Sequence, residues 1–156
     1  MSNKAIFFDR DDTLIKDTGY MYKVEDLEFF KDTFEVLKSF QARGYLIFIV
    51  TNQSGIGRGL YTEEDMHIFN NNMLSALLKQ GIKIKDLVFC PHAPDDKCAC
   101  RKPSPKLLNE LCEKYDIDKS QSIMVGDKES DVEAGNNAGL QTFRIKNNNL
   151  IKLITP

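Results

Sequence analysis

No stretch of this chain approaches the roughly 20 consecutive apolar residues that a bilayer-spanning helix needs, so no membrane partner is expected. The first apolar run, Ala5-Ile6-Phe7-Phe8, meets Asp9 at once, too soon for a secretory signal, and the expected location is cytoplasmic. An excess of one charge is also missing. The 21 Lys and Arg stand against 23 Asp and Glu, for a net charge of -2. That balance lacks the clustered cations that grip a nucleic-acid backbone, so no nucleic acid is expected as a partner. There is no internal repeat and no linker-like tract, and 156 residues fall within the usual size of one domain, expected to span 1–156. Cysteine is scarce: of 4 in the chain, three crowd between positions 90 and 100 beside His92. In a cytosolic protein that grouping favours metal over disulfides. What is present is ordinary for a folded protein, with 42% hydrophobic and 28% charged residues and no sign of disorder.

Short apolar runs at Ala5–Phe8, Leu46–Val50, Leu87–Phe89, Ile123–Val125 and Gln141–Ile145 read as buried strands, too short for helices and rich in β-branched and aromatic residues. Between them lie helical stripes: Phe34, Leu37 and Phe40; Met66, Phe69, Met73 and Leu77; Leu107, Leu108, Leu111 and Tyr115. Thr62 with Asp65, and Ser104 ahead of Pro105, mark helix starts, and Gly44, Gly81 and Gly139 follow helix ends. Alternating strand and helix predict an α/β fold with a mostly parallel sheet. Two long loops, Asp11 to about Asp26 and Cys90 to Lys102, fit neither element, and loops of that length are usually functional.

Ligands of such sheets bind beyond the carboxyl ends of the strands, and those ends are unusually polar here. They deliver Asp9-Arg10-Asp11-Asp12-Thr13, Thr51-Asn52-Gln53-Ser54, Arg101-Lys102 and Gly126-Asp127-Lys128. The set suits phosphoryl transfer, in which a carboxylate attacks phosphorus once cations offset the repulsion between anions. Asp9, Asp127 and a carbonyl near Asp11 would supply hard oxygen ligands for Mg²⁺, and Thr51 and Lys102 would hold phosphoryl oxygens. Any one of these aspartates alone is as easily a helix cap or turn residue. Asp12 reads as a turn residue. Asp131 reads either as an exposed helix charge or, one turn beyond Asp127, as the residue that orients Lys102.

Asp9-Arg10-Asp11-x-Thr13, Thr51-Asn52-Gln53, Arg101-Lys102-Pro103 and Gly126-Asp127-x3-Asp131 resemble the four ordered motifs of the haloacid dehalogenase superfamily. The resemblance spans positions 5 to about 140 and implies a Rossmann-like three-layer sandwich without a sizeable cap domain, open and monomeric. It also implies that Asp9 becomes phosphorylated and that Asp11 is the proton donor and base. Asp12 stands where the superfamily usually has Gly, and Asp tolerates left-handed backbone better than most residues.

Cys90, His92, Cys98 and Cys100 offer the donors of a closed tetrahedral zinc site. On spacing alone, free thiols or a redox pair remain open, and the resemblance implies structural Zn²⁺. Cys112 reads as a small buried hydrophobe and His67 as a helix-surface residue. Within the superfamily, this loop running into Arg-Lys-Pro is similar to two groups. Asp17-Thr18-Gly19-Tyr20 and the run Val50 to Gly59 resemble the D-glycero-D-manno-heptose-1,7-bisphosphate 7-phosphatases of nucleotide-activated heptose biosynthesis, whereas the five residues between His92 and Cys98 resemble the histidinol-phosphate phosphatases. Either implies a small phosphorylated substrate. A bisphosphate sugar would engage Asp17, Thr18, Gly19, Tyr20, Asn52, Gln53 and Ser54, with Arg58, Arg101 and Lys128 as cations for its second anion. A reading from another class is a zinc-stabilised binding module with weakened turnover.

Overall fold

The computed structural model describes residues 2–155, so positions 1 and 156 of the expected domain lie outside it. Its centre is a parallel 5-stranded sheet in the order β3-β2-β1-β4-β5. The strands are β1 (Ala5–Phe8), β2 (Leu46–Asn52), β3 (Asp86–Cys90), β4 (Ile123–Gly126) and β5 (Gln141–Arg144). The helices are α1 (Thr33–Ala42), α2 (Ser54–Gly57), α3 (Glu63–Lys79), α4 (Lys106–Lys114) and α5 (Glu129–Asn137).

Because side chains alternate across a strand, the continuous apolar runs feed two cores. Ile6, Phe8, Ile47, Ile49 and Val125 meet Leu37 and Phe40 of α1 and Phe69, Met73 and Leu77 of α3. Ala5, Phe7, Phe48, Val50 and Met124 meet Leu108, Leu111 and Cys112 of α4 and Ala134 and Ala138 of α5. Each large side chain so buried contributes about 1.5–3 kcal/mol, and together they hold the strand ends in place. Cys112 is the small buried hydrophobe expected, and His67 is exposed on α3 with its ring edge-on to Phe89.

Local signals act as expected at several ends. Thr62 Oγ1 accepts from the Asp65 N–H and Asp65 Oδ2 from the Thr62 N–H, each at 3.0 Å, which closes a capping box. Gly44, Gly81 and Gly139 follow their helices with positive φ. Other boundaries differ. Pro105 occupies the cap position itself, and Ser104 acts from one residue earlier, its Oγ accepting from the Lys106 N–H at 3.2 Å. Strand β2 runs on to Asn52 because it stays paired with β3 up to Cys90. Strand β5 stops at Arg144.

The chain leaves β1 towards β2 and β3 on one side and returns to β4 and β5 on the other. The topological switch therefore falls between β1 and β4, where a crevice opens beyond the strand ends. Asp9 and Asp127 follow directly on those two strands.

Candidate active site

Asp9 is pinned at its backbone, its N–H donating to the Val125 carbonyl at 3.0 Å, and its side chain is only 9% exposed. Lys102 reaches it from the third strand's loop. Its Nζ donates to Asp9 Oδ1 at 2.9 Å, to the Val50 carbonyl at 2.9 Å and to Asp131 Oδ1 at 2.6 Å. Asp131 is thus buried against Lys102 rather than exposed; its place on the buried face of α5 is what sequence could not decide. Its other oxygen accepts the Lys128 N–H at 3.1 Å, capping α5. The close approach needs Gly126, where an added Cβ would overlap the Asp131 side chain. Asn52 fixes the Lys102 backbone from both sides, accepting its N–H at 3.1 Å and donating to its carbonyl at 3.3 Å.

Asp9, Asp127 and Asp131 bring carboxylate oxygens within 4.8 Å of one another, and Lys102 is the ammonium that answers them. Burial, then the charges of Asp9 and Asp131, push the Asp127 carboxyl up to about 7. Burial and Asp9 also raise Asp131, against the pull of Lys102. Burial works against the charge on Lys102, but Asp9 and Asp131 prevail and hold it well above the usual lysine value. Uncompensated negative charge from hard oxygens is the donor set a divalent cation such as Mg²⁺ requires. The Asp11 side chain lies outside this cluster, leaving only its carbonyl for the expected ligand role.

That side chain is held instead by Arg10, whose Nε and Nη2 donate to its two oxygens at 2.8 and 3.2 Å. Arg10 is fully buried. It also donates to Asn70 Oδ1 at 2.8 Å, the Met21 carbonyl at 2.9 Å and Gln53 Oε1 at 3.2 Å, with its guanidinium 4.7 Å from the Phe69 ring centre. Sequence reasoning passed over Arg10 and over Tyr61, which donates to the same Gln53 oxygen. Burial pushes the Tyr61 hydroxyl up to about 12, the nearby charge of Arg10 pulling the other way. The available signal was a lone arginine set between two aspartates at the end of a wholly apolar strand.

Two hollows with shared walls lie at the site. A narrow one is lined by Asp9, Asp11, Asn52, Lys102, Lys128, Ser130 and Asp131. The other, about 270 Å³, adds Asp17, Gly19, Tyr20, Gln53, Ser54 and Tyr61 and shares Asp11, Asn52 and Lys128 with the first. Most residues expected to meet substrate therefore converge. Thr18, Thr51, Arg58 and Arg101 line neither. Thr18 turns its N–H and hydroxyl to the Met21 sulfur, Arg58 is exposed beyond α2, and Thr51 is 1% exposed. Arg101 is half-buried, and its Nη1 is buried without a hydrogen-bond partner among the described residues. Asp12 has φ 60, as its left-handed tolerance allows. Its Oδ1 accepts the Asp17 N–H at 3.0 Å, tying down the Asp17–Tyr20 turn in a way glycine could not. A larger depression at the opposite end of the sheet, lined by Gln41, Tyr45, Lys83 and Lys85 among others, contains no carboxylate.

In the loop after β3, Cys90 Sγ lies 3.5 Å from both His92 Nδ1 and Cys98 Sγ, and Cys100 Sγ lies 3.4 Å from His92 Nδ1. All four donor atoms lie within 4.8 Å of one another. Donors bound tetrahedrally at about 2.0–2.3 Å would stand roughly 3.5–3.8 Å apart, so the set fits a metal ion. Burial pushes the Cys90 thiol up to about 12. For Cys98 burial is outweighed by the Arg101 N–H, the Cys90 thiol and the Cys100 N–H and thiol, which bring it to about 7. The Arg101-Lys102 pair follows this knot directly.

The sequence profile of the family described as "Polynucleotide kinase 3 phosphatase" matches residues 4–148. The chain is 44% identical over 151 residues to the D-glycero-beta-D-manno-heptose-1,7-bisphosphate 7-phosphatase of Helicobacter pylori, covering 96% of this chain and 84% of that one. It is 44% identical over 147 residues to the D-glycero-alpha-D-manno-heptose-1,7-bisphosphate 7-phosphatase of Campylobacter jejuni, covering 94% and 84%. The chain belongs to this phosphatase family of the haloacid dehalogenase superfamily. Like its relatives, this haloacid dehalogenase phosphatase is a phosphomonoester hydrolase. Among solved structures, the D,D-heptose 1,7-bisphosphate phosphatase from B. bronchiseptica, complexed with magnesium and phosphate, matches with a TM-score of 0.87 and 29% identity, covering 96% of this chain and 84% of that one. The expected α/β architecture of the superfamily is thereby borne out. No helix among the described residues is long and apolar enough to cross a membrane.

Proposed function

We propose that the protein hydrolyses the C7 phosphate of D-glycero-D-manno-heptose 1,7-bisphosphate, in nucleotide-activated heptose biosynthesis, through an aspartyl-phosphate on Asp9. The observation that carries the chemistry is the juxtaposition of Asp9, Lys102, Asp127 and Asp131 at the switch point. The sugar rests on the relatives from H. pylori and C. jejuni.

An Asp9 oxygen attacks phosphorus, the bond from phosphorus to the C7 oxygen breaks, and Asp11 delivers the proton that the leaving alcohol needs. Asp11, now a carboxylate, takes a proton from water. The water oxygen displaces Asp9 from phosphorus and releases inorganic phosphate. Lys102 would meet the phosphoryl oxygens, exchanging its hydrogen bond to Asp9 for one to the anion, and Thr51, buried in β2, would donate its hydroxyl hydrogen to the same group. Asp9, Asp127 and the Asp11 carbonyl would hold Mg²⁺, which when bound offsets the repulsion between carboxylate and phosphate. The remote phosphate would meet Lys128, which lines both hollows. Asp17, Gly19, Tyr20 and Ser54 would form the wall beside the sugar.

The test is kcat/KM for the heptose bisphosphate and for histidinol phosphate, the substrate favoured by the short Cys loop, on one Mg²⁺-loaded preparation. The heptose bisphosphate is expected to be preferred by at least about tenfold, since a second phosphate adds charge-assisted contacts. Preference for histidinol phosphate overturns the sugar assignment, and absence of any chelator-sensitive phosphatase activity supports the binding module instead.

Cys90, His92, Cys98 and Cys100 would hold structural Zn²⁺, which fixes a loop of little apolar content and so the position of Lys102. Stripping zinc and then restoring Mg²⁺ alone is expected to lower turnover about a hundredfold, the scale of a 1 Å misplacement, and to lower the melting temperature. Zinc-free protein, by elemental analysis, that keeps full activity contradicts this role.

A further inference from the structure

Gln53 follows β2 within the Thr51-Asn52-Gln53 run, where contact with ligand is the simple expectation, yet it is 2% exposed. Its Oε1 accepts from Arg10 Nη2 at 3.2 Å and from the Tyr61 hydroxyl. A guanidinium carries donors only, so the amide atom facing Arg10 must be the oxygen, and the amide cannot be turned over. Nε2 consequently faces Thr51 Oγ1 at 2.8 Å and donates to it. A hydroxyl has one hydrogen and two lone pairs. With a lone pair occupied by Gln53, the Thr51 hydrogen remains to be given elsewhere. Its acceptor among the described residues is the Asn52 carbonyl at 3.5 Å, the weak limit of a hydrogen bond. Arg10 is itself held by Asn70, Met21 and Asp11, so the orientation is fixed from a buried and fully engaged group.

We infer that Gln53 is a positioning residue, oriented by Arg10 and Tyr61, that commits the Thr51 hydroxyl to donate its hydrogen towards the phosphoryl group. The inference rests on the proposed reading of Thr51 as a phosphoryl ligand. It assigns the Gln53 side chain to the interior rather than to the sugar. A donor aimed in advance at developing charge is worth about 10²–10³ in rate, and that advantage requires the hydrogen to point outward before substrate arrives.

Gln53→Glu keeps the shape and the acceptors for Arg10 and Tyr61, but offers Thr51 an acceptor in place of a donor, turning its hydrogen inward. On the Mg²⁺-loaded enzyme with p-nitrophenyl phosphate, kcat/KM is expected to fall about a hundredfold in Q53E and in T51V alike. Adding Q53E to T51V is expected to change it by less than about twofold, the scatter of independent mutations. Tyr61→Phe, which removes one of the two donors holding Oε1, is expected to cost about fivefold, again only while Thr51 is present. Melting curves establish that each variant is folded, and if Q53E is not, Y61F and its double mutant with T51V decide by the same criterion. T51V at the parent rate removes the reading of Thr51 and the inference with it. An impaired T51V together with a near-normal Q53E, or losses that multiply in the double mutant, overturns the positioning role alone.

Discussion

Asp9→Asn is expected to lower turnover by on the order of 10⁴-fold or more while raising the melting temperature of the metal-free protein. The first effect follows from the loss of the proposed nucleophile. An amide in the same place still accepts a hydrogen bond from Lys102 but forms no stable phosphoryl ester. The second follows from charge. Asp9, Asp127 and Asp131 crowd within 4.8 Å at the donor atoms, with Lys102 as the ammonium beside them; burial first, and then the neighbouring carboxylate charges, raise Asp127 and Asp131. Removing one negative charge relieves the pair that remains, while Asp131 keeps its 2.6 Å bond to Lys102. A gain of about 1 kcal/mol corresponds to roughly 2–4 °C in a protein of this size. Opposite signs for rate and stability are the mark of a site in which charge is concentrated for chemistry. Calorimetry without divalent metal, beside a kinetic assay with Mg²⁺, checks both. A variant that is less active because it is less stable contradicts this explanation.

Lys102→Met is expected to fail in both respects. The side chain is 3% exposed and its ammonium bonds two buried carboxylates and a carbonyl. Removing it strands Asp9 and Asp131, at about 3–5 kcal/mol for a broken buried pair. Melting should fall by on the order of 10 °C and turnover by at least about 10³-fold. Added Mg²⁺ should restabilise K102M more than the parent, because the ion then supplies the missing positive charge. Equal Mg²⁺-induced shifts in the two proteins would contradict the charge balance described for this cluster.

The strand ends were legible because the buried parallel strands β1, β2 and β4 are apolar along most of their length, so the changes to Asp9, Thr51 and Asp127 fall within a residue of where those strands stop. Asp9, Thr51 and Asp127 were therefore placed from local pattern alone. Asp131 was not, since α5 carries too weak an apolar stripe to say which side faces Lys102, and the deciding fact is the space left by Gly126. The roles of Arg10 and Gln53 were hidden for another reason. Arg10 meets Asn70 and Gln53 across 60 and 43 residues, Tyr61 reaches Gln53 across the turn after α2, and no periodicity encodes which donor faces which acceptor. Asp12 was legible as a left-handed turn residue, but its bond to Asp17 depends on how the loop folds back. The cysteine loop showed its donors plainly; the donor spacings of 3.4–3.5 Å are what turn a composition into a metal-sized cage.

The covalent step on Asp9 is reached most directly with Asp11→Asn and p-nitrophenyl phosphate in Mg²⁺. Nitrophenolate leaves without a proton donor, whereas release of the enzyme-bound phosphoryl group needs Asp11 to activate water. A rapid burst of one nitrophenolate per enzyme is expected, followed by slow turnover, with mass spectrometry of the quenched protein finding one phosphoryl group on the peptide that contains Asp9. Steady turnover with no burst and an unmodified Asp9 would contradict the aspartyl-phosphate route.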